Sequence, residues 1–232
     1  MLLIGGAIRF FWAIFVPTLP VSDFEYYHTS AIKLSQGILT LTKNWGYTFL
    51  LSLGYHIYPG VLTGKIINAF ASTLSLLLLY AIGCRLGKPS MGLIAVFLFA
   101  ILPSEINMVS VLGTEVVTAT LMLIVAFFLL YGIGSNVDLK HISAMCCAGL
   151  FYCFGLMIRS SLVFYFPVIL VVIFFAYRMF KISQIVKALS VFVFGTAISL
   201  SIIVISYSLI AKNLSLAPLR TQDPFLSYLV QT

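Results

Sequence analysis

The chain has 232 residues, of which 62% are hydrophobic and only 8% carry a charge. Ordinary soluble domains carry roughly 25% charged residues, so this composition excludes a soluble globular protein and indicates an integral membrane protein. The net charge of +7 comes from Lys and Arg residues scattered singly between apolar runs. This pattern indicates membrane topology and argues against nucleic acid as a partner.

The apolar runs predict a bundle of membrane-spanning helices. A helix needs about 20 apolar residues to cross the hydrocarbon core, and by this measure the chain contains roughly seven spans. The predicted spans cover residues 1–19, 62–84, 90–103, 113–132, 142–158, 161–177 and 187–210. We therefore expect an all-α, polytopic transmembrane helix bundle that forms one membrane-embedded domain over residues 1–232.

The basic residues of the short loops predict the orientation of the bundle. If the spans alternate, one side carries Arg85, Lys88, Lys140, Arg178, Lys181 and Lys187, whereas the opposite short loops carry only Arg159. Cytoplasmic loops are enriched in Lys and Arg. The first side is therefore predicted to be cytoplasmic. The long segment of about residues 20–61 becomes an extracytoplasmic loop, and the protein is placed in the cell membrane with its active face outside.

This first loop is predicted to be ordered and to lie in the membrane interface. Four apolar residues recur at helical spacing, while polar residues follow another face, and Gly37 can end the helix. The apolar positions are Phe24, Tyr27, Ala31 and Leu34, and the polar ones are Glu25, Thr29, Lys33 and Gln36. A second apolar stretch over 46–59 is too short to cross and is predicted to be interfacial or re-entrant. Trp45, Tyr47, Tyr55 and Tyr58 suit the headgroup region.

Asp23 is the first candidate for chemistry. The chain has only six acidic residues, and Asp23 and Glu25 both follow directly after the first apolar run. The sequence Ser22-Asp23-Phe24-Glu25 also fits a capping box, with Ser22 as the N-cap and Glu25 reaching back to it. A carboxylate stabilised by the helix dipole stays ionised and can still accept a proton, so for Asp23 the structural and catalytic interpretations are compatible.

Arg159 and Glu115 are predicted to lie at the same face as Asp23. Arg159 separates two apolar runs, where it either snorkels to the interface or directs its planar guanidinium at a phosphate. Glu115 follows Thr114, a plausible N-cap, and Glu105 lies on the same side. Three segments thus bring carboxylates and one brings an arginine to one end of the bundle.

Other chemistry has less support in the sequence. The four cysteines show neither a disulfide framework nor a metal-binding spacing, and they are interpreted as small buried residues. His28 and His56 are interpreted as packing or exposed residues. No metal site is predicted, although a divalent metal ion stays open as a cofactor because the same carboxylates could help to bind one.

Several pieces of the chain, in this order, resemble the GT-C class of membrane glycosyltransferases, in particular its protein mannosyltransferase-like and aminoarabinose transferase-like branch. The similar pieces are Arg9, the segment Pro20 to Phe24 with Tyr27 and the helix to Gly37, Gly46 to Leu50, Asn68 to Arg85, Pro103, Gly113-Thr114-Glu115, and Ile158-Arg159. The resemblance extends to about residue 213. It departs from the family at Lys43-Asn44-Trp45-Gly46, in overall length and in the atypical tail 211–232.

The resemblance implies a function for the acidic face. Members of the class transfer a sugar from a polyprenyl-phosphate donor to an extracytoplasmic glycan, lipid or protein, with inversion at the anomeric carbon. Asp23 occupies the position of their catalytic base. Arg159 would stabilise the departing phosphate, and Glu115 and Glu25 would contribute to substrate binding.

Two alternatives remain open at the level of the sequence. The short chain and its atypical end are compatible with a catalytically inactive truncated fragment or a partner subunit of such an enzyme. A transporter of lipid-linked sugars is the third hypothesis, but it predicts inverted repeats and polar residues at the membrane midplane, which the sequence does not show.

Overall fold

A computed structural model describes residues 1–38, 44–133, 138–177 and 182–211, and all regular structure in these ranges is helical. The first helices are α1 (Leu2–Phe15), α2 (Asp23–Ser35), α3 (Trp45–Tyr55), α4 (Val61–Arg85) and α5 (Pro89–Ile101). They are followed by α6 (Pro103–Val109), α7 (Glu115–Gly132), α8 (Leu139–Ile158), the 3-10 helix Ser160–Tyr165, α9 (Phe166–Tyr177) and α10 (Ile182–Ala211). The predicted all-α class is therefore confirmed, while the predicted tail lies outside the described residues apart from the last residue of α10.

Fewer helices than predicted are long and apolar enough to cross a membrane. Within the described ranges these are α4, α7, α8 and α10, and a fifth span results if α5 and α6, which are bent by 62° at Leu102, form one broken span. The predicted spans 1–19 and 161–177 correspond to shorter apolar helices. The second of them begins with the 3-10 helix, which follows the extended residue Arg159. The count of seven spans is not confirmed.

Helix α4 is central to the first half of the bundle, where it packs against α1, α5 and α7, while α8 packs against α7 and α10 in the second half. The contact between α8 and α10 is close because glycines face backbone on both sides. A Cβ on Gly149 would lie 2.8 Å from the Thr196 nitrogen, and one on Gly195 would lie 3.0 Å from the Cys146 carbonyl carbon. Only residues without a side chain allow this approach.

Helix α2 has the predicted amphipathic faces. Tyr27, Ala31 and Leu34 are buried, whereas Glu25 and Lys33 are exposed. Gly37 ends the helix as predicted, with a φ of 79° that suits glycine, and the Gly37 and Ile38 N–H groups bond back to Leu34 and Lys33 carbonyls. An interfacial position for α2 is not shown.

The predicted capping box is wrong. The helix begins at Asp23 as expected, but Ser22 makes no side-chain cap hydrogen bond. The backbone of Ser22 has φ 56° and ψ −126° instead of the extended conformation that is typical of an N-cap residue. The Thr114 side chain likewise does not cap α7, although Glu115 is the first residue of that helix, as predicted.

Most aromatic residues of the segment 45–58 are buried in the protein, and their predicted position at the headgroups stays a prediction. Trp45, Tyr47 and Tyr55 are buried, and only Tyr58 is exposed. Seven of the 11 residues of α3 are buried. Helix α3 is therefore a packing element that positions other segments.

The two ends of the bundle differ in charge. Arg85 Nε donates a hydrogen bond to the Leu130 carbonyl near the C-terminal ends of α4 and α7. Glu115, at the N-terminus of α7, lies about 22 Å away along that helix at 1.5 Å per residue. Arg85 and Lys88 therefore lie at one end, with Lys140 at the start of α8, and the predicted acidic face lies at the other.

Candidate active site at the junction of α2, α3, α7 and α8

Glu115 and Arg159 form an ion pair at the acidic end of the bundle. Arg159 Nη1 donates to Glu115 Oε1 at 3.0 Å, and the two side chains are 42% and 47% exposed. Glu115 begins α7 and Arg159 follows the last residue of α8, so the antiparallel packing of these helices brings the two together. The sequence prediction that they share one face is confirmed for this pair.

The position of Arg159 depends on a close contact between α3 and α8. A Cβ on Gly46 would lie 2.8 Å from the Met157 carbonyl carbon and 3.0 Å from the Ile158 nitrogen. The N-terminus of α3 can therefore lie directly on the last turn of α8. On the other side of Arg159, the Tyr152 hydroxyl donates to the Leu162 carbonyl at 2.9 Å and anchors the 3-10 helix to α8. Arg159 is thus held between two fixed segments.

Gly113 provides space for the carboxylate of Glu115. A Cβ on Gly113 would collide with Glu115 Oε2 and would lie 3.3 Å from Phe24 Cε1. The second carboxylate oxygen of Glu115 therefore folds over Gly113, beside the first turn of α2. This places the ion pair next to the helix that carries Asp23.

Asp23, Glu115 and Arg159 all act electrostatically on Tyr27. Asp23 is exposed, and Tyr27 is buried one turn further along α2. Burial raises the pKa of the Tyr27 hydroxyl, and a hydrogen bond from Asn44 opposes this shift. The charges of Asp23 and Glu115 raise the pKa further, whereas the charge of Arg159 lowers it. All three charged groups are therefore close enough to act on one buried phenol.

A network of hydrogen bonds and aromatic contacts supports the site where α2, α3, α7 and α8 come together. Asn44 Nδ2 donates to the Tyr27 hydroxyl at 2.7 Å, and the rings of Tyr27 and Tyr47 meet edge-to-face at 5.5 Å. The Tyr47 hydroxyl donates to Asn68 Oδ1 at 3.3 Å, and Asn68 Nδ2 donates to the Val111 carbonyl at 2.6 Å. The network connects α2 through α3 and α4 to the segment before Glu115.

His28 has a specific partner that the sequence did not indicate. Its Nδ1 lies 2.7 Å from the Tyr55 hydroxyl, which links α2 to α3. Partial burial lowers the pKa of His28, and burial raises the pKa of Tyr55. His56, by contrast, is exposed, as its interpretation allowed.

Two other predicted acids have different positions. Glu25 is exposed on α2 and forms no ion pair with Arg159, which uses Glu115 instead. Glu105 is half-buried on α6 and acts on the charge of Arg9, whereas Asp23 and Glu115 act on Tyr27. The convergence of Asp23, Glu105 and Glu115 on one membrane face and a substrate-binding role for Glu25 stay predictions.

Sequence reasoning missed a buried polar face on α4. Lys65, Asn68, Ser72 and Ser75 are all buried at helical spacing. Lys65 Nζ donates to the Val16 carbonyl at 2.6 Å, and Ser75 pairs with Thr120 at 2.9 Å. Their helical spacing along the predicted span could have indicated this buried face, since polar residues in a spanning helix normally face protein.

Arg9 is the most deeply buried charge of the described chain. It is fully buried in α1, and its three nitrogens donate to Ser72 Oγ at 2.6 Å, the Gly5 carbonyl at 3.0 Å and the Phe99 carbonyl at 2.8 Å. The guanidinium carbon also lies 5.1 Å from the centre of the Phe99 ring. These bonds tie α1 to α4 and α5 and satisfy the buried charge.

Within the described residues, no three His, Cys, Asp or Glu side chains come together in a way that could hold a metal ion. The divalent metal ion considered from the sequence therefore stays a prediction.

A comparison of the chain with protein-family models, with curated proteins and with solved structures finds no match.

Proposed function

We propose that this protein is a membrane glycosyltransferase that transfers a sugar from a polyprenyl-phosphate donor to an extracytoplasmic acceptor. The observation that carries the proposal is the ion pair of Arg159 with Glu115 beside the first turn of α2, the helix that begins with Asp23, at one end of a bundle of apolar helices. Their exposure leaves them accessible to a ligand, and the resemblance of the chain to GT-C enzymes supports the same assignment.

The proposed reaction requires one base and one cation. Asp23 accepts the proton of an acceptor hydroxyl or amine while the acceptor oxygen or nitrogen forms a bond to the anomeric carbon. The bond between that carbon and the phosphate oxygen breaks, and its electron pair leaves with polyprenyl phosphate, so the anomeric carbon is inverted. General-base assistance of this kind contributes typically 10²–10⁴-fold.

Arg159 is suited to the leaving group. Its guanidinium offers N–H donors in a planar fork that matches phosphate oxygens. Fixed positive charge near the departing oxygen stabilises the charge that develops in the transition state. The helical segments on either side of Arg159 fix its backbone before the substrate arrives, which avoids reorganisation during the reaction.

The proposed orientation follows from the two ends of the bundle. Arg85, Lys88 and Lys140 lie at the end opposite the ion pair, so the rule that basic loops face the cytoplasm favours an extracytoplasmic Asp23. In this orientation α2 and α3 belong to the first extracytoplasmic loop and lie at the membrane interface. The shorter helices α1 and α9, with the 3-10 helix, supply the remaining spans of a seven-span topology.

The test is a transfer assay in membranes supplied with isotope-labelled polyprenyl-phosphate hexose and pentose donors. The measured product is released polyprenyl phosphate, which is common to every acceptor. Wild-type membranes should release it, and Asp23→Asn should reduce the rate at least about 100-fold. Asp138→Asn, at the opposite end of α8, is the matched control and should retain the wild-type rate. Unchanged release by Asp23→Asn would refute Asp23 as the base, and an inactive partner subunit predicts no release by any variant.

A further inference from the structure

We propose that Glu115 is an exchangeable counter-ion that occupies Arg159 until the phosphate group of a membrane lipid displaces it. The inference deepens the proposed function, because it takes Arg159 as the phosphate-binding residue. It concerns binding alone, so it can be tested without sugar transfer.

The ion pair has the geometry of a replaceable contact. It uses Nη1 of Arg159 and Oε1 of Glu115, whereas a bidentate pair would use two parallel hydrogen bonds. Both side chains are more than 40% exposed, at 42% and 47%. Exposed pairs of this kind contribute little stability, because water and salt screen them. A phosphate that reaches the guanidinium can therefore compete with Glu115.

Gly113 gives the carboxylate a defined resting position. The other carboxylate oxygen, Oε2, lies where a side chain at residue 113 would be, and Phe24 borders the same space. The pair is therefore accommodated by the absence of a Cβ at Gly113. A larger residue there would push the Glu115 carboxylate out of this position and would weaken its contact with Arg159.

The local charge also favours displacement of Glu115 by the phosphate over binding of both to Arg159 at once. Glu115 contacts Arg159, and Asp23 acts on the same tyrosine, Tyr27, as both of them, so the three groups together carry a net charge of −1 in their ionised forms. An anionic phosphate entering beside both carboxylates would add repulsion between like charges. Movement of Glu115 away from Arg159 removes part of this repulsion and exposes the donors of the guanidinium.

The experiment measures binding of polyprenyl phosphate, added as the probe, to the full-length protein in nanodiscs of a zwitterionic lipid. Glu115→Gln should bind the probe about two- to five-fold more tightly, because an exposed ion pair of modest strength no longer competes. Gly113→Ala should change the affinity in the same direction. Arg159→Gln should bind at least about tenfold more weakly, and Asp138→Asn should match the wild type. Folded protein is isolated by size-exclusion chromatography before each measurement.

Unchanged or weaker binding by Glu115→Gln would overturn the proposal and make Glu115 a structural residue or a direct ligand. A parallel titration with inorganic phosphate distinguishes the source of the phosphate. If it binds as tightly as polyprenyl phosphate, the lipid part of the proposal is wrong. If the predicted affinities are found while Asp23→Asn retains full transfer, the counter-ion role stands and the proposed catalytic function fails.

Discussion

Arg159 and Glu115 are 44 residues apart in the sequence, yet Arg159 Nη1 lies 3.0 Å from Glu115 Oε1. The contact closes the end of the α7–α8 pair next to the first turn of α2, where Asp23 begins the helix. The buried aromatic residues of α2 and α3 hold this arrangement, and they define the most direct ways to perturb it.

Tyr27 and Asn44 should stabilise the junction through their hydrogen bond. Tyr27→Phe keeps the ring packed on Tyr47 but removes the acceptor of Asn44 Nδ2, which should lower the free energy of unfolding by about 0.5–1.5 kcal/mol. Asn44 has a φ of 56°. Asn44→Gly therefore loses only the hydrogen bond, whereas Asn44→Ala also strains the backbone and should be less stable than Asn44→Gly by about 1 kcal/mol. Unfolding in detergent, followed by circular dichroism, measures the stability of each variant. Equal stability of Asn44→Gly and Asn44→Ala would contradict the predicted backbone strain.

Gly46 should be required for the contact between α3 and the end of α8. A methyl group at this position meets the Met157 and Ile158 backbone, which cannot rotate away, so Gly46→Ala should destabilise the protein by about 1–3 kcal/mol. It should also weaken phosphate binding, because Arg159 follows the displaced segment. Gly54→Ala on the same helix is the control, since its Cβ meets only side-chain atoms of Thr63 and Ile67. The prediction fails if the two substitutions reduce the melting temperature equally.

The pairing of His28 with Tyr55 should make the α2–α3 contact sensitive to acid. Burial lowers the pKa of His28 in the folded protein below the ordinary value of 6.5. The unfolded chain then binds more protons as the pH falls below about 6.5, so stability is present above that pH and is lost progressively as the pH falls toward the folded-state pKa. Melting temperatures measured between about pH 5 and 8 should show this loss in the wild type.

The matched variants for this prediction are His28→Gln and His56→Gln. The first should flatten the pH dependence of the melting temperature, and the second should leave it as in the wild type, because His56 is exposed. A pH dependence that survives in His28→Gln would assign the effect to another group. The fluorescence of Trp45, at the start of α3, gives a local readout of the same change.

Arg9 and Ser72 should be energetically coupled. Ser72→Ala leaves the buried Nε of Arg9 without its partner and should cost about 1.5–3 kcal/mol. In an Arg9→Met background the same substitution should cost less than about 1 kcal/mol, because no buried charge remains to be satisfied. A double-mutant cycle on the free energy of unfolding measures the coupling. Additive effects of the two substitutions would show that the hydrogen bond contributes no coupling.

The sequence predicted those parts of the structure that depend on local patterns. Continuous apolar runs gave α4, α7 and α8 nearly to their ends, because length and hydropathy are sufficient to define such helices. The amphipathic spacing of α2 placed Tyr27 and Leu34 in the interior. Alternation of the spans then brought Glu115 and Arg159 to one face, since antiparallel neighbours return the chain to the same end.

Contacts between distant segments could not be predicted in this way. The hydrogen bond from Arg9 to Ser72 joins residues 63 positions apart, and no periodicity indicates which helix face meets α1. Enrichment of aromatic residues at headgroups does not indicate that Trp45, Tyr47 and Tyr55 are buried in the protein. The capping box failed because its residue types fit, whereas the backbone of Ser22 does not.

The central claim is most directly tested by mass spectrometry of lipid-linked sugars and surface glycans. The comparison uses cells that lack the gene, cells that express the wild-type chain and cells that express Asp23→Asn at the same membrane level. We predict that a polyprenyl-phosphate sugar accumulates and one glycan modification disappears without the gene, that the wild type reverses both changes, and that Asp23→Asn reverses neither. Full reversal by Asp23→Asn would contradict the account.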